Sequence, residues 1–205
     1  MDTFSQLQAR IRLDHHLALY IHIPFCETKC PYCDFNTYSG IESRMPAYLE
    51  ALLEETSLWG TALALSRDDT TARQSIVSVF FGGGTPSYLP PEDIRRILDT
   101  VRTAFSLSPN AEVTLESNPG DVTANRLRKW KDAGINRLSI GVQSLDDDLL
   151  KNTTRELREA FEGQEFRAVG IDLCKHAFPQ PDGWQGGEGF MAKLKAATDD
   201  VTVQI

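Results

Sequence analysis

Cysteine is scarce: the 205 residues hold 4, too few for the disulfide frame on which small secreted domains depend. Long apolar runs are also missing. Nowhere do about eighteen apolar residues follow one another, so no segment is written as a membrane-crossing helix. Met1 to His16 is mixed polar and lacks the apolar centre of a secretory signal. Positive charge is in deficit, with 21 Lys and Arg against 29 Asp and Glu, a formal net charge of -8 and a pI near 5.0. No basic run gathers into a stripe, which excludes the electrostatic footprint of a nucleic-acid binder. What is plentiful is core material: 41% of the residues are hydrophobic, enough at this length for one α/β domain. The expectation is an acidic, soluble, cytoplasmic protein.

Periodicity divides the chain into strand and helix units. Leu17 to Ile23 is nearly all apolar and stops at Pro24, the pattern of a strand buried on both faces. Pro46 to Leu65 has Leu49, Leu52, Leu53, Leu58 and Leu63 at amphipathic-helix spacing, with Gly60 weakening its second half. Ser75 to Phe81 is a second strand, running into Gly82-Gly83-Gly84-Thr85-Pro86-Ser87. Pro90-Pro91-Glu92-Asp93 opens a helix through Phe105. Glu112 to Glu116 is a third strand, Thr123 caps a helix to Ala133 that Gly134 stops, and Arg137 to Val142 is a fourth strand ending at Gln143-Ser144. Less regular text follows. It predicts a helix over Asp146 to Phe166, a strand over Val169 to Leu173, a Pro- and Gly-rich stretch over Lys175 to Glu188, a helix over Gly189 to Thr198 and a last strand over Val201 to Ile205.

Repeated strand-helix units imply right-handed crossovers and a parallel sheet or barrel. Each conspicuous loop follows the C-terminal end of a strand, so the cysteines, Gly82 to Ser87, Glu116 to Gly120 and Gln143-Ser144 should gather at one mouth.

Three of the four cysteines, Cys26, Cys30 and Cys33, lie within eight positions. Structural zinc wants four N or S ligands, and here three lie together, with His22 as a fourth only if it leaves its strand; packed in that strand, it is a core histidine. A disulfide with a spare thiol suits an oxidising compartment. A 4Fe-4S cubane accepts three thiolates and leaves one iron without a protein ligand. Pro31, Tyr32 and Phe35 would give such a cluster rigid, apolar cover. Cys174, beside a strand, reads as a small buried hydrophobe rather than a ligand paired with His176.

Cys26-x-x-x-Cys30-x-x-Cys33 resembles the signature of radical S-adenosylmethionine enzymes. The longer string from Tyr20 through Cys33 resembles the branch that holds the HemW-like haem chaperones and oxygen-independent coproporphyrinogen III oxidase. The resemblance implies a (β/α)6 partial TIM-type barrel with a shortened or irregular second half. It also implies a 4Fe-4S cluster on Cys26, Cys30 and Cys33, with S-adenosylmethionine chelating the open iron and cleaved by one electron to methionine and a 5′-deoxyadenosyl radical. Carried over position by position, the cofactor contacts would be Tyr20, Tyr32, Gly83, Gly84, Thr85, Glu116, Gln143, Arg155 and Asp172.

The resemblance is dense from Leu17 to Arg155 and ragged over 156–205, where Cys174 to Gln180 replaces the family's Gly-Leu-Pro-Gly-like stretch. It frames residues 1–16 as a short leader and 17–205 as the core, ending before the branch's C-terminal domain. Asp34-Phe35 stands where the oxidase carries a fourth cysteine two positions after Cys33. That departure favours the haem chaperones, with haem or a porphyrin as ligand and a haem-acceptor protein as partner. The alternatives are oxidative decarboxylation of coproporphyrinogen III and a truncated remnant without activity.

Overall fold

The structure, a computed structural model, describes residues 16–31, 33–65, 75–142, 155–157, 159–163, 166, 168–173 and 201–204. Six strands, β1 (His16–Ile23), β2 (Ser75–Gly83), β3 (Ser106–Ser117), β4 (Arg137–Val142), β5 (Ala168–Leu173) and β6 (Val201–Gln204), form one sheet. Their spatial order is their chain order, and every neighbouring pair is parallel. Stepping always in one direction with right-handed crossovers keeps the connecting helices on one face, as in a partial barrel of the TIM type. The helices that follow β1, β2 and β3 are α1 (Met45–Leu65), α2 (Pro91–Ala104) and α3 (Ala124–Ala133), with α2 packed between α1 and α3.

Strand alternation divides the two faces. Ile21, Ile23, Val79, Phe81, Val113, Leu115, Leu138 and Ile140 are all buried, and with Ile94, Ile97, Leu98, Leu127 and Trp130 of the helices they make the core. The residues between them face the other way. Register aligns Tyr20, Phe80, Thr114 and Arg137 in one row, and one step on it pairs His22 with Gly82 and Glu116 with Ser139.

Gly60 does not end α1, which runs on to Leu65. A Cβ there would lie 2.7 Å from both Cβ and the carbonyl oxygen of Ala104, so the missing side chain is what lets α1 press against the end of α2. β3 begins six residues before the expected Glu112: Ser106 and Leu107 pair with Ser75 and Ile76 of β2, and the ladder resumes at Glu112 after an irregularity that takes in Pro109-Asn110. Of the helix expected over 146–166, residues 155–157 and 159–161 are helical, and 146–154 lie outside the described residues. So do the stretches expected over Lys175 to Glu188 and Gly189 to Thr198. Among the described residues no helix is long and apolar enough to cross a membrane.

The ends of α3 follow the sequence. The Thr123 hydroxyl accepts from the Arg126 amide at 3.3 Å, and Gly134, at φ 110, turns its amide back to the carbonyls of Lys131 and Trp130. Thr123→Ala should therefore cost about 1 kcal/mol. In urea this would read as a lower unfolding midpoint at an unchanged slope.

Candidate metal and cofactor site

The cysteine loop leaves β1 at Pro24 and is closed at its base by backbone pairing. The Cys26 amide donates to Tyr38 O at 3.0 Å and the Tyr38 amide to Pro24 O at 2.8 Å, while the Cys33 amide turns back to Cys30 O at 3.0 Å. The Lys29 ammonium ties the outgoing limb to the returning one, donating to Thr37 O at 3.1 Å and Phe35 O at 3.5 Å. Cys26 is buried, Cys30 and Cys33 are half-buried, and none is in a disulfide.

Two hydroxyls meet the sulfurs. Thr85 Oγ1 donates to Cys26 Sγ at 3.5 Å, and Thr37 Oγ1 lies 3.8 Å from Cys33 Sγ. Among the described residues no three His, Cys, Asp or Glu side chains stand close enough together to hold a single metal ion. A 4Fe-4S cubane takes each thiolate at a different iron, and three free thiols on one loop, two of them met by hydroxyls, supply such a donor set. The residues present fit that group.

Under the loop lies the end of β2. The amides of Gly84 and Thr85 donate to Ile23 O at 2.7 Å and Phe25 O at 2.8 Å, and the Gly83 amide donates to Glu116 Oε2 at 3.2 Å. A Cβ on Gly84 would stand 2.7 Å from Phe25 O, 2.9 Å from Ile23 O and 3.0 Å from Cys26 Sγ. Gly83 has φ +118, and a Cβ there would meet the His22 ring at 2.6 Å. These glycines let the strand end seat beneath the cysteines. Their amide donors are already engaged in the protein, so any contribution of Gly83, Gly84 and Thr85 to a cofactor must come through acceptors or shape, not through the amide approach that a glycine-rich loop first suggests.

Beside them, Tyr20 and His22 face the mouth rather than the helices. Ile21 and Ile23 take the core positions of β1, so His22 is a half-exposed mouth residue and not the packed core histidine that the strand pattern suggests. Its Nε2 lies 2.9 Å from Asn36 O, which can only accept; Nδ1, 3.2 Å from the Tyr20 hydroxyl, is left as the acceptor. The Tyr20 ring stacks on Phe80 with centroids 6.2 Å apart. Partial burial, and next the Glu116 carboxylate, push the Tyr20 phenol above its ordinary pKa. Tyr48 donates its hydroxyl to His22 O, fixing β1 to α1.

Of the other positions expected to touch the cofactor, Glu116 sits on the mouth side of β3 with Gly83. Asp172 lies opposite Gly141 in the β4–β5 register, at the same end of the sheet. Arg155 is exposed on the first described helical turn after β4. Tyr32 and Gln143 lie outside the described residues, as do Cys174 and His176. Phe35 does not cover the cysteines: it is 71% exposed, because the returning limb turns Thr37 inward and Phe35 outward. Sequence reasoning missed Thr37, Lys29 and a brace beneath the glycine loop. In that brace Ser87 donates to Asp121 at 2.6 Å and accepts from the Asn118 amide at 3.2 Å, and Arg126 donates to the carbonyls of Ser87 and Leu89. Only the Ser-Asn-Pro-Gly turn after β3 hinted at the brace.

The profile of the Radical SAM superfamily matches residues 20–177. The heme chaperone HemW of Escherichia coli K12 is 42% identical over 174 residues, 80% of this chain and 43% of that protein. The mitochondrial radical S-adenosyl methionine domain-containing protein 1 of Bos taurus is 42% identical over 147 residues, 71% of this chain and 31% of that one. Among solved structures, the Escherichia coli coproporphyrinogen III oxidase HemN, a radical SAM enzyme, superposes with a TM-score of 0.69 at 28% identity, covering 98% of this chain and 46% of that one. The chain thus spans 43% and 31% of the lengths of these two curated relatives.

Proposed function

The chain belongs to the radical SAM superfamily, and from that premise we propose that it acts as a HemW-like protein. It carries a 4Fe-4S cluster on Cys26, Cys30 and Cys33, binds S-adenosylmethionine at the strand-end mouth, and serves haem binding and transfer to an acceptor protein. The observation that carries this is the cysteine loop seated on the glycine end of β2, with two thiols meeting buried hydroxyls. The 42% identity to a heme chaperone supports the transfer role. So does Phe35, which stands where the oxidase would carry a fourth cysteine.

When bound, the cluster supplies the electron for reductive cleavage of S-adenosylmethionine. The protein's own part is position and exclusion. Lys29 and the Cys26–Tyr38 backbone pair hold the thiols in place. Glu116 fixes the turn at Gly83, and the Tyr20–His22 pair presents a hydroxyl at the rim with His22 as its acceptor.

The test is anaerobic reconstitution with iron and sulfide, followed by electron paramagnetic resonance of the reduced protein with and without S-adenosylmethionine, and then haem titration. The expected outcome is a reduced-cluster signal that changes on adding S-adenosylmethionine, and a Soret shift from a stable haem complex. Conversion of coproporphyrinogen III without stable haem binding would place the chain with the oxidase instead. A cluster that ignores S-adenosylmethionine, in a protein that binds no haem, would leave a remnant.

A further inference from the structure

We propose that Thr37 and Thr85 are hydrogen-bond donors to the cluster thiolates of Cys33 and Cys26, and that through these two bonds the protein sets the reduction potential of its cluster. The inference rests on the cluster assignment above and extends it to residues that touch only the ligands. Thr85 thereby acquires a role different from the cofactor contact that its position suggests.

The geometry is specific on three counts. Thr85 Oγ1 is 3.5 Å from Cys26 Sγ and Thr37 Oγ1 is 3.8 Å from Cys33 Sγ, both within hydrogen-bonding reach of sulfur. Both threonines are buried, at 8% and 2% exposure, where a hydroxyl without a partner carries a desolvation penalty. Among the described residues the sulfur is the side-chain partner that each hydroxyl has. Both hydroxyls are also held in place by their own backbones. The Thr85 amide donates to Phe25 O at 2.8 Å, the Thr37 amide to Phe35 O at 2.8 Å, and Thr37 O receives the Lys29 ammonium at 3.1 Å.

The direction of each bond follows from the chemistry of the ligand. A thiol can donate or accept, but a thiolate bound to iron only accepts, so each threonine must be the donor once the cluster is in place. Such a bond favours the more negative oxidation state. One electron arrives from an external low-potential one-electron donor, no proton moves, and each hydroxyl keeps its hydrogen. Donors to the ligand sulfurs therefore raise the potential, one of the few levers a protein has over an iron-sulfur centre.

The experiment is a redox titration of reconstituted protein without S-adenosylmethionine, poised with dithionite and followed by electron paramagnetic resonance. It compares wild type, Thr37→Val, Thr85→Val, the double variant, and Thr37→Ser with Thr85→Ser. Each valine should reduce the ratio of reduced to oxidised cluster at a fixed potential about tenfold, a shift of about 59 mV for one electron. The double variant should shift by roughly the sum, and the serines should titrate like wild type. Should a valine variant fail to hold a cluster, resonance Raman of the wild type in D2O decides, since donated bonds make the iron-thiolate stretches deuterium-sensitive.

Valine variants that load iron but titrate like wild type would overturn the inference and leave the cluster assignment standing. Thr85→Val that weakens S-adenosylmethionine binding at an unchanged midpoint would overturn it too, returning Thr85 to the cofactor. So would deuterium-insensitive stretches in the wild type. Absence of any cluster in the wild type would instead sink the assignment on which the inference rests.

Discussion

Cys26→Ala, Cys30→Ala and Cys33→Ala should each lose a stable cluster after anaerobic reconstitution, with iron and sulfide falling from about four per chain towards background and the broad absorbance near 400 nm disappearing. With three protein thiolates for four irons there is no spare ligand, so each substitution leaves two irons without a protein ligand where the wild type leaves one. Cys26→Ala should be the most severe. Its sulfur is buried against Gly84 and Thr85, so alanine also leaves the Thr85 hydroxyl without its acceptor. The fold should survive, because the base of the loop is closed by main-chain bonds between Cys26, Tyr38 and Pro24 that alanine keeps. Circular dichroism of the apo variants checks this. Cys174→Ala should load iron like wild type; if it lost iron while Cys30→Ala retained it, the ligand set would be wrong.

Gly84→Ala is the second change with a large expected effect. One methyl group would sit 2.7 Å from one backbone oxygen, 2.9 Å from another and 3.0 Å from the Cys26 sulfur. None of the three is the flexible end of a long side chain, so the strand end must lift. Lifting weakens the amide bonds of Gly84 and Thr85 to Ile23 and Phe25 and withdraws the Thr85 hydroxyl from Cys26. The cost should reach about 3 kcal/mol, the upper end for overpacking, which is a large fraction of the stability of an ordinary domain. A guanidinium melt and an iron assay after reconstitution measure both consequences. An unchanged midpoint with full iron loading would mean that the glycine is not what seats the loop.

Much of the frame was legible because punctuation and periodicity agreed. Arg137 to Val142 is the strand expected after the Gly134 stop, and Thr123 with Gly134 brackets α3 where capping chemistry puts them. The strand-end rule also held, since the cysteine loop and the glycine loop meet at one end of adjacent strands. What escaped depended on closure in space. The first half of β3 is interrupted by Pro109-Asn110, a turn by local rules, and only its neighbour β2 makes it sheet. Lys29 and Thr37 find their partners eight and four residues away along the chain, across a loop whose shape no periodicity records. Phe35 misled because apolar residues are buried often but not always. Gly60 misled in the opposite sense: its helix cost is real, but helix packing against Ala104 requires it.

The hydroxyl that meets Cys26 belongs to a residue 59 positions further along the chain, and this has a consequence for biosynthesis. The three thiols leave the ribosome early, in a loop whose floor does not yet exist. At about 5–20 residues per second, the strand end that seats them follows about 3–12 s later. During that interval the cysteines are an exposed trio open to oxidation or to stray metal. On the proposed ligand set the site is complete only once β2 has arrived and paired with β1, so a delivery system that acted on the nascent loop would meet a site only half made.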